Sequence, residues 1–432
     1  MKIAIYTLGC KVNQYESQAI AELFSKRGHE MVSPSEIADA YIINSCTVTA
    51  TSDGKSKKAA RHMKNKNPNA VIALIGCFPQ AFLEKAQKVE CVDIILGNKD
   101  KRRVVELIES CAAEKKRVIA VTEHPKTAKI EQMKISSFDE RTRAFLKIQD
   151  GCNRFCSYCI IPAARGRICS KPLCEIISEI KELVKNGYSE FVLVGIDLSS
   201  YGKEFNLTLT DAVEAVAKID GVKRIRLGSL EPEIISDKDI ERLSKIESFC
   251  PQFHLSLQSG CDKTLKAMNR HYTSDEYREI VKKLRAAFSD VAITTDVMVG
   301  FAGESQEDFE KSLEFVCEMR FLKVHVFPYS IREGTRAAKF DGQIAAEIKK
   351  ERARIMIEHT EKIRQQILNE NIGRVCEILL EGREKGGYAI GYTKDYIPVY
   401  VENCPAAEGS LIKVKLTSLY GDGCMGEVIS ED

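Results

Sequence analysis

Gln149-Asp-Gly-Cys152-Asn-Arg-Phe-Cys156-Ser-Tyr-Cys159 places three cysteines within eight residues, spaced three and then two. Thiolates this close can wrap a compact inorganic cluster, the way cysteine holds iron–sulfur centres. Three ligands leave one iron of a 4Fe–4S cluster without a protein donor, an open position for a cosubstrate. A structural zinc site needs four ligands, usually in paired C-x2-C knuckles, and here Cys169 or Cys174 would have to supply the fourth. A disulfide is disfavoured if the compartment is reducing.

Outward from this loop, residues 144–149 read as the strand that feeds it. Further strands are expected at 190–195, 224–229, 252–258, 292–299 and 323–329, each followed by a helical pattern. Six successive strand–helix units predict an open, partial (βα)6 barrel with its site at the carboxyl ends of the strands. Upstream, apolar runs at 3–8, 40–44, 70–75 and 92–96 alternate with amphipathic stretches near 14–27, 53–65, 79–89 and 100–112, which predicts a parallel sheet covered by helices. Residues 122–142 read as a polar linker, and 343–371, without Gly or Pro, as one long helix. From 372 on, apolar runs broken by Gly-Gly, Lys-Asp and Gly-Asp-Gly predict a small β-barrel. The expected class is α/β, with an N-terminal parallel α/β domain over 1–125, a barrel core over 138–370 and a β-barrel over 371–432.

The composition is that of an ordinary globular chain: 432 residues, 44% apolar and 29% charged, with a net charge of +2 that neither favours nor opposes nucleic acid. Met1-Lys-Ile-Ala-Ile-Tyr-Thr reads as a strand rather than an apolar leader. No apolar run approaches the roughly 18 residues of a membrane span, so the cytoplasm is the expected compartment and no membrane partner is expected. In that setting 16 cysteines are informative, because metal ligation or nucleophilic chemistry must account for some of them. Cys10, Cys46 and Cys77 each follow a strand directly and precede a helix. In a parallel sheet those positions lie along one edge, where ligands bind, so a second three-cysteine cluster is geometrically natural. Cys91, which precedes its strand, and Cys111, at a helix end, break the pattern and read as structural, as do Cys169 and Cys174.

The C-x3-C-x2-C loop resembles the signature of the radical S-adenosylmethionine (SAM) superfamily, and a second trio on a separate domain resembles the methylthiotransferases within it. Thr7-Leu-Gly-Cys-Lys-Val-Asn-Gln-Tyr-Glu-Ser17 looks like the threonylcarbamoyladenosine branch; the isopentenyladenosine and ribosomal-protein branches read differently around this cysteine. Asn44-Ser-Cys-Thr-Val-Thr49, Ile160-Ile-Pro-Ala-Ala-Arg-Gly-Arg167, His254-Leu-Ser-Leu-Gln-Ser-Gly260 and Thr295-Asp-Val-Met-Val-Gly-Phe301 are also family-like. Gly391-Tyr-Thr-Lys-Asp-Tyr-Ile-Pro-Val399 resembles the RNA-binding TRAM barrel. Ala302, where the family usually has Pro, and Ala164, where Tyr-Ala is common, are peripheral departures. The resemblance implies two 4Fe–4S clusters, on Cys152, Cys156 and Cys159 and on Cys10, Cys46 and Cys77, with SAM at the first. It also implies conversion of N6-threonylcarbamoyladenosine beside the anticodon to its 2-methylthio form. Expected partners are tRNAs reading codons that begin with A, an electron donor such as flavodoxin or ferredoxin, and a sulfur donor. The competing readings are a methylthiotransferase for isopentenyladenosine tRNA or a ribosomal protein, and a non-catalytic zinc-stabilised RNA-binding protein.

Gly195 and Asp197 follow the second barrel strand, Glu231 the third and Gln258 and Ser259 the fourth, while Asp296 lies on the fifth; all are candidate SAM contacts, with a turn or cap role as the bland alternative. His254 and His325 sit in apolar strand runs and read as core histidines. Residues 55–66 carry six Lys/Arg and no acid. Lys55, Lys57, Lys58 and Arg61 are therefore candidate phosphate contacts, with Arg141, Arg143, Arg165 and Arg167 extending the patch. Residues 372–432 hold six Lys/Arg against ten Asp/Glu, a poor phosphate binder on average; Tyr388, Tyr392, Tyr396 and Tyr400 would offer stacking surfaces instead.

Overall fold

A computed structural model describes residues 1–125, 129–137, 142–383 and 387–429. Its first sheet has six parallel strands, β1 (Lys2–Thr7), β2 (Glu30–Val32), β3 (Ala40–Ser45), β4 (Val71–Gly76), β5 (Ile94–Leu96) and β6 (Val118–Ala120), in the order β2-β1-β3-β4-β5-β6. Both central strands β3 and β4 are buried along their whole length, as a parallel sheet covered on two faces requires. Ile3, Ile42, Ala73 and Ile94 pack on one face, in a core continuous with that of the next sheets. Tyr41, Ile43, Ile72 and Leu74 pack on the other, beside Ala60 and Met63 of the helix Ala50–Lys66. Chain order reverses between β1 and β3, so the crevice at their carboxyl ends is the topological switch point of the sheet.

The next strands are β7 (Arg143–Lys147), β8 (Gln149–Asp150), β9 (Cys169–Ser170), β10 (Glu190–Val194), β11 (Arg224–Leu227), β12 (Ser229–Leu230), β13 (Gln252–Leu255), β14 (Ala292–Val299) and β15 (Lys323–Pro328). β11-β10-β7 and β12-β13-β14-β15 are two parallel sheets. The chain segment 224–230 joins them, pairing with β10 before Gly228 and with β13 after it. The result is six strand positions in chain order, open between β7 and β15 among the described residues. The helix Lys11–Lys26, which follows β1, packs along β7. The helix Ala346–Glu370 packs on β15.

β16 (Val375–Arg383), β17 (Ala389–Thr393), β18 (Pro398–Val401), β19 (Leu411–Tyr420) and β20 (Gly423–Val428) close into a barrel, β16-β17-β18-β20-β19. It docks on the amino ends of β7, β10 and β11. Arg224 donates to the Tyr392 carbonyl at 2.9 Å, and Arg226 to those of Thr393 and Lys394 at 2.8 and 2.7 Å. Arg143 pairs with Glu381 and lies 5.0 Å from the Tyr392 ring. Arg143 is thus consumed at this seam and is not part of an RNA surface; Arg141 lies outside the described residues. No helix among the described residues is long and apolar enough to cross a membrane.

Candidate active site

After β8 the chain turns at Gly151 (φ +73°), where a Cβ would lie 2.0 Å from the Arg167 carbonyl oxygen, so only glycine can lead into the loop. Gln149 braces it: its Nε2 donates to the carbonyls of Asp150 and Gly151 at 2.8 Å. Its Oε1 accepts from the amides of Ile196 and Asp197 at 2.9 and 2.8 Å, fixing the turn after β10. The Cys152 amide is held by Gly166 at 3.0 Å and Ser157 by Met268 at 2.9 Å. Phe155 adopts φ +52° with its ring under the Arg167 guanidinium, 4.9 Å away. The three sulfurs are half-buried. The Arg154 amide points at Cys152 Sγ (3.5 Å) and Arg270 Nη1 at Cys156 Sγ (3.4 Å).

Burial first, and then the neighbouring Asp197, push the Cys152 thiol up to about 12. Burial and then Cys156 do the same to Cys159, also about 12. Such thiols ionise near neutrality only when a metal centre supplies the compensating charge. A donor set of thiols alone suits iron–sulfur ligation. Above the loop, Asp197 accepts from Ser200 at 2.8 Å and faces Arg154 Nε at 3.6 Å, while its buried Oδ1 has no partner. Glu231 pairs with Arg270 and lies 3.9 Å from Arg154.

The second trio forms on the first sheet's carboxyl edge. Cys10 precedes the helix Lys11–Lys26, Cys46 follows β3, and Cys77 opens the helix Cys77–Ala81. Gly9 (φ +98°) lets the first loop lie against the second: a Cβ there would be 2.9 Å from Cys46 Sγ. Asn13 Nδ2 clamps both loops, donating to the carbonyls of Leu8 and Ser45 at 2.6 and 3.1 Å. Asn98 Nδ2 donates to Cys77 Sγ at 3.3 Å and to the Ala164 carbonyl at 2.7 Å. Burial, followed by the nearby Cys77, raises the Cys46 thiol to about 11. Burial also raises Cys10, whose accessible surface faces an internal cavity. Among the described residues no group of three or more His, Cys, Asp or Glu is arranged to hold a metal ion. Ligands of one zinc ion crowd a single centre, whereas cluster thiolates each take a separate iron and stand wider apart.

A buried charge knot joins the two trios. Glu16, on the helix after Cys10, accepts from Lys101, from Lys147 at 2.6 Å and from Arg165 at 2.6 Å. Asp150 takes Lys147 at 2.6 Å and Arg165 at 3.4 Å. Burial alone would lift the Glu16 carboxyl, but Arg165, Lys101 and Lys147 outweigh it and hold it well below the usual range. Three cations against two carboxylates leave one positive charge beside Cys10 and Cys77, a fit for thiolate ligands. Arg165 is 1% exposed and both of its terminal nitrogens are engaged here, so it is not the phosphate contact its sequence position suggested. Arg167 is exposed, as are Lys55, Lys58 and Arg61. Lys57 is half-buried over the Phe78 ring, 5.3 Å from its centroid.

A cavity of about 500 Å³ runs through the partial barrel and is lined by Cys10, Gly195 and Asp296. His254 and His325 line it too; they are not core histidines. His254 bonds Thr294 at 3.0 Å and Asp296 at 3.3 Å. Apolar strand runs concealed this because inward positions of an incomplete barrel face a lumen. Gln258 holds φ +67° and knits its backbone to β14 through Asp296 and Met298 at 2.8 Å. Ser259 is buried against Ser312. Cys169 is buried in β9, whereas Cys174 is exposed. Tyr392 and Tyr396 stack at 4.8 Å at the far end of the cavity. Tyr400 packs on Tyr420 at 5.0 Å and Tyr388 on Tyr420 at 5.2 Å. Gln149, Asn98, Arg154 and Arg270 escaped the sequence reading, although Gln149 and Arg154 lie in or beside the cysteine loop.

Residues 146–316 match the radical SAM superfamily model, and residues 2–97 match that of an uncharacterized protein family, UPF0004. The chain is 36% identical over 440 residues to the threonylcarbamoyladenosine tRNA methylthiotransferase MtaB of Bacillus subtilis, covering 100% of this chain and 97% of the relative. It is 34% identical over 441 residues to the tRNA-2-methylthio-N(6)-dimethylallyladenosine synthase of Alkaliphilus oremlandii, covering 100% and 93%. Among solved structures, the radical SAM methyltransferase TsrM of Kitasatospora setae superposes with a TM-score of 0.55 at 11% identity, over 76% of this chain and 74% of that one. That likeness shows the fold; the radical SAM superfamily match over residues 146–316 implies a 4Fe–4S cluster and SAM.

Proposed function

The chain belongs to the radical SAM methylthiotransferases, and from that premise we propose that it converts N6-threonylcarbamoyladenosine beside the tRNA anticodon to the 2-methylthio derivative. The observation that carries the reading is the apposition of two thiol trios, with Asn98 touching both Cys77 and the helix that follows Cys159. Cys152, Cys156 and Cys159 would hold the SAM-binding 4Fe–4S cluster, and Cys10, Cys46 and Cys77 a second one. When bound, these groups supply one-electron chemistry and a site for sulfur. That is what replacing the aromatic C2–H of adenine demands, since no side chain is basic enough to take that hydrogen as a proton.

The chain's own residues position the reactants. Asp197 Oδ1 and the Glu231 carboxylate stand beside the first trio, where they would take the polar groups of SAM. Gly195 and Asp296 would face the same ligand from the lumen, and Gln258 would shape the wall through its left-handed backbone. Arg270 Nη1 and the Arg154 amide donate toward cysteine sulfur, contacts that would stabilise the electron-rich state of a cluster held there. Lys55, Lys58, Arg61 and Arg167 would hold tRNA phosphates; an external electron donor and a sulfur donor complete the reaction.

The substrate choice rests on the Thr7–Ser17 stretch and on the names of the relatives. The 34% match to a dimethylallyladenosine enzyme favours a second reading, action on that nucleoside. Mass analysis of tRNA nucleosides from a strain lacking the gene separates them. The proposal expects loss of the methylthio form of threonylcarbamoyladenosine alone. An unchanged pool of that form would refute it.

A further inference from the structure

The lumen holds a charged group that neither trio uses. Lys11, directly after Cys10, points into the cavity with its Nζ 5.9 Å from the Phe145 ring and has no acidic partner among the described residues. The cavity wall begins at Cys10 and Gly195, which follow β1 and β10, and passes Asp296 midway along β14. It ends at Gln252 and Lys323, the first residues of β13 and β15, and at Arg364, Tyr392, Tyr396 and Asp422 on the small-barrel side. It therefore spans the length of the barrel, deeper than a nucleoside seated at the carboxyl ends would reach. Cys10 lines it; Cys152, Cys156 and Cys159 do not.

Its charged lining is Lys11, Lys323 and Arg364 against Asp296 and Asp422. Both carboxylates are engaged, Asp296 by His254 at 3.3 Å and Asp422 by the Tyr400 hydroxyl at 2.6 Å and Arg364 at 3.7 Å. The ammonium of Lys11, deep in the passage, and that of Lys323, at its mouth, are left to face the open space. A low-dielectric passage with an excess of positive charge raises the local concentration of small anions.

We infer that this lumen is a route by which a small sulfur anion of the hydrosulfide class reaches Cys10 from the small-barrel end, with Lys11 as its cationic waypoint. The sulfur identity rests on the methylthiotransferase reading; the route and its charge preference rest on the cavity. The route separates the traffic. Sulfur would arrive from below the second trio while SAM and the nucleoside occupy the carboxyl face.

The test uses the full-length protein without metal and without tRNA, so it reads the route even if the nucleoside assignment fails. Alkylation of Cys10 by iodoacetate and by iodoacetamide is followed by peptide mass spectrometry, with exposed Cys174 as the reference in the same chain. The iodoacetate-to-iodoacetamide rate ratio should be higher at Cys10 than at Cys174, by about tenfold. Lys11→Met should erase that preference and leave the iodoacetamide rate unchanged. Thr294→Leu, which fills the mid-lumen, should slow both reagents at Cys10 but not at Cys174. Lys323→Trp, at the exposed mouth, gives the same reading if Thr294→Leu does not fold. Unchanged Cys10 rates in both filled variants would overturn the route, and a preference that survives Lys11→Met would overturn the role of the cation.

Discussion

Arg165 and Arg167 sit two residues apart with opposite fates. Arg165 turns inward, 1% exposed, and binds Glu16, Asp150 and Asn13. Arg167 turns outward onto Phe155. Local sequence makes them look alike, because a buried ion pair is set by partners far along the chain: Glu16 is 149 residues from Arg165. Removing one member of a buried charge set leaves the others uncompensated. Arg165→Met should therefore lower unfolding stability by about 3 kcal/mol, and Arg167→Met by less than about 0.5 kcal/mol, as read by urea denaturation. Arg165→Lys should not rescue, since a lysine cannot span Glu16 and Asn13 together. Equal stability of the two methionine variants would show that the knot between the trios contributes nothing. By contrast, the placement of the six cysteines was legible in advance because its signal is local: close spacing for one trio, strand-end position for the other.

Among the elements, the long periodic ones were readable and the short edge ones were not. The six barrel positions lie within a few residues of expectation, and residues 343–371 contain the observed helix Ala346–Glu370. β2 and β6 were missed: Glu30-Met-Val and Val118-Ile-Ala are only three residues long, too short for a period to declare itself. The 79–89 helix is in fact two, Cys77–Ala81 and Leu83–Gln87, broken at Phe82, whose extended-side φ of −137° is not helical. The basic helix Ala50–Lys66 is where element and function meet. Lys64 is spent on Asp93 at 3.1 Å and on the Ala70 carbonyl at 2.8 Å, and Lys66 reaches the Ser35 carbonyl. Lys55, Lys58 and Arg61 remain exposed. Replacing these three by Ala should weaken tRNA binding and lower the slope of log affinity against log salt by about 2. An unchanged slope would assign the helix to ordinary solvation.

At the scale of the whole molecule, the arrangement solves a convergence problem. A parallel sheet presents ligand loops only along its carboxyl edge, and an open barrel only at its carboxyl mouth. The helix Lys11–Lys26 belongs to the first and packs along β7 of the second, so the two edges meet. The third module closes the other end: Glu190 gathers Arg226 at 2.6 Å, Arg224 at 3.6 Å and Arg143 at 3.8 Å under the small barrel. That docking was not readable from composition, which shows the module's acidity but not which arginines meet it. The central claim is that each trio holds its own cluster and does a separate task. The most direct measurement compares anaerobically reconstituted wild type with a variant in which Cys10, Cys46 and Cys77 are all alanine, scoring iron, SAM cleavage and methylthio product together. Wild type should hold about eight irons per chain and the variant about four, with SAM cleavage retained and sulfur addition lost. A variant that keeps the full iron content, or that loses SAM cleavage along with sulfur addition, would contradict the account.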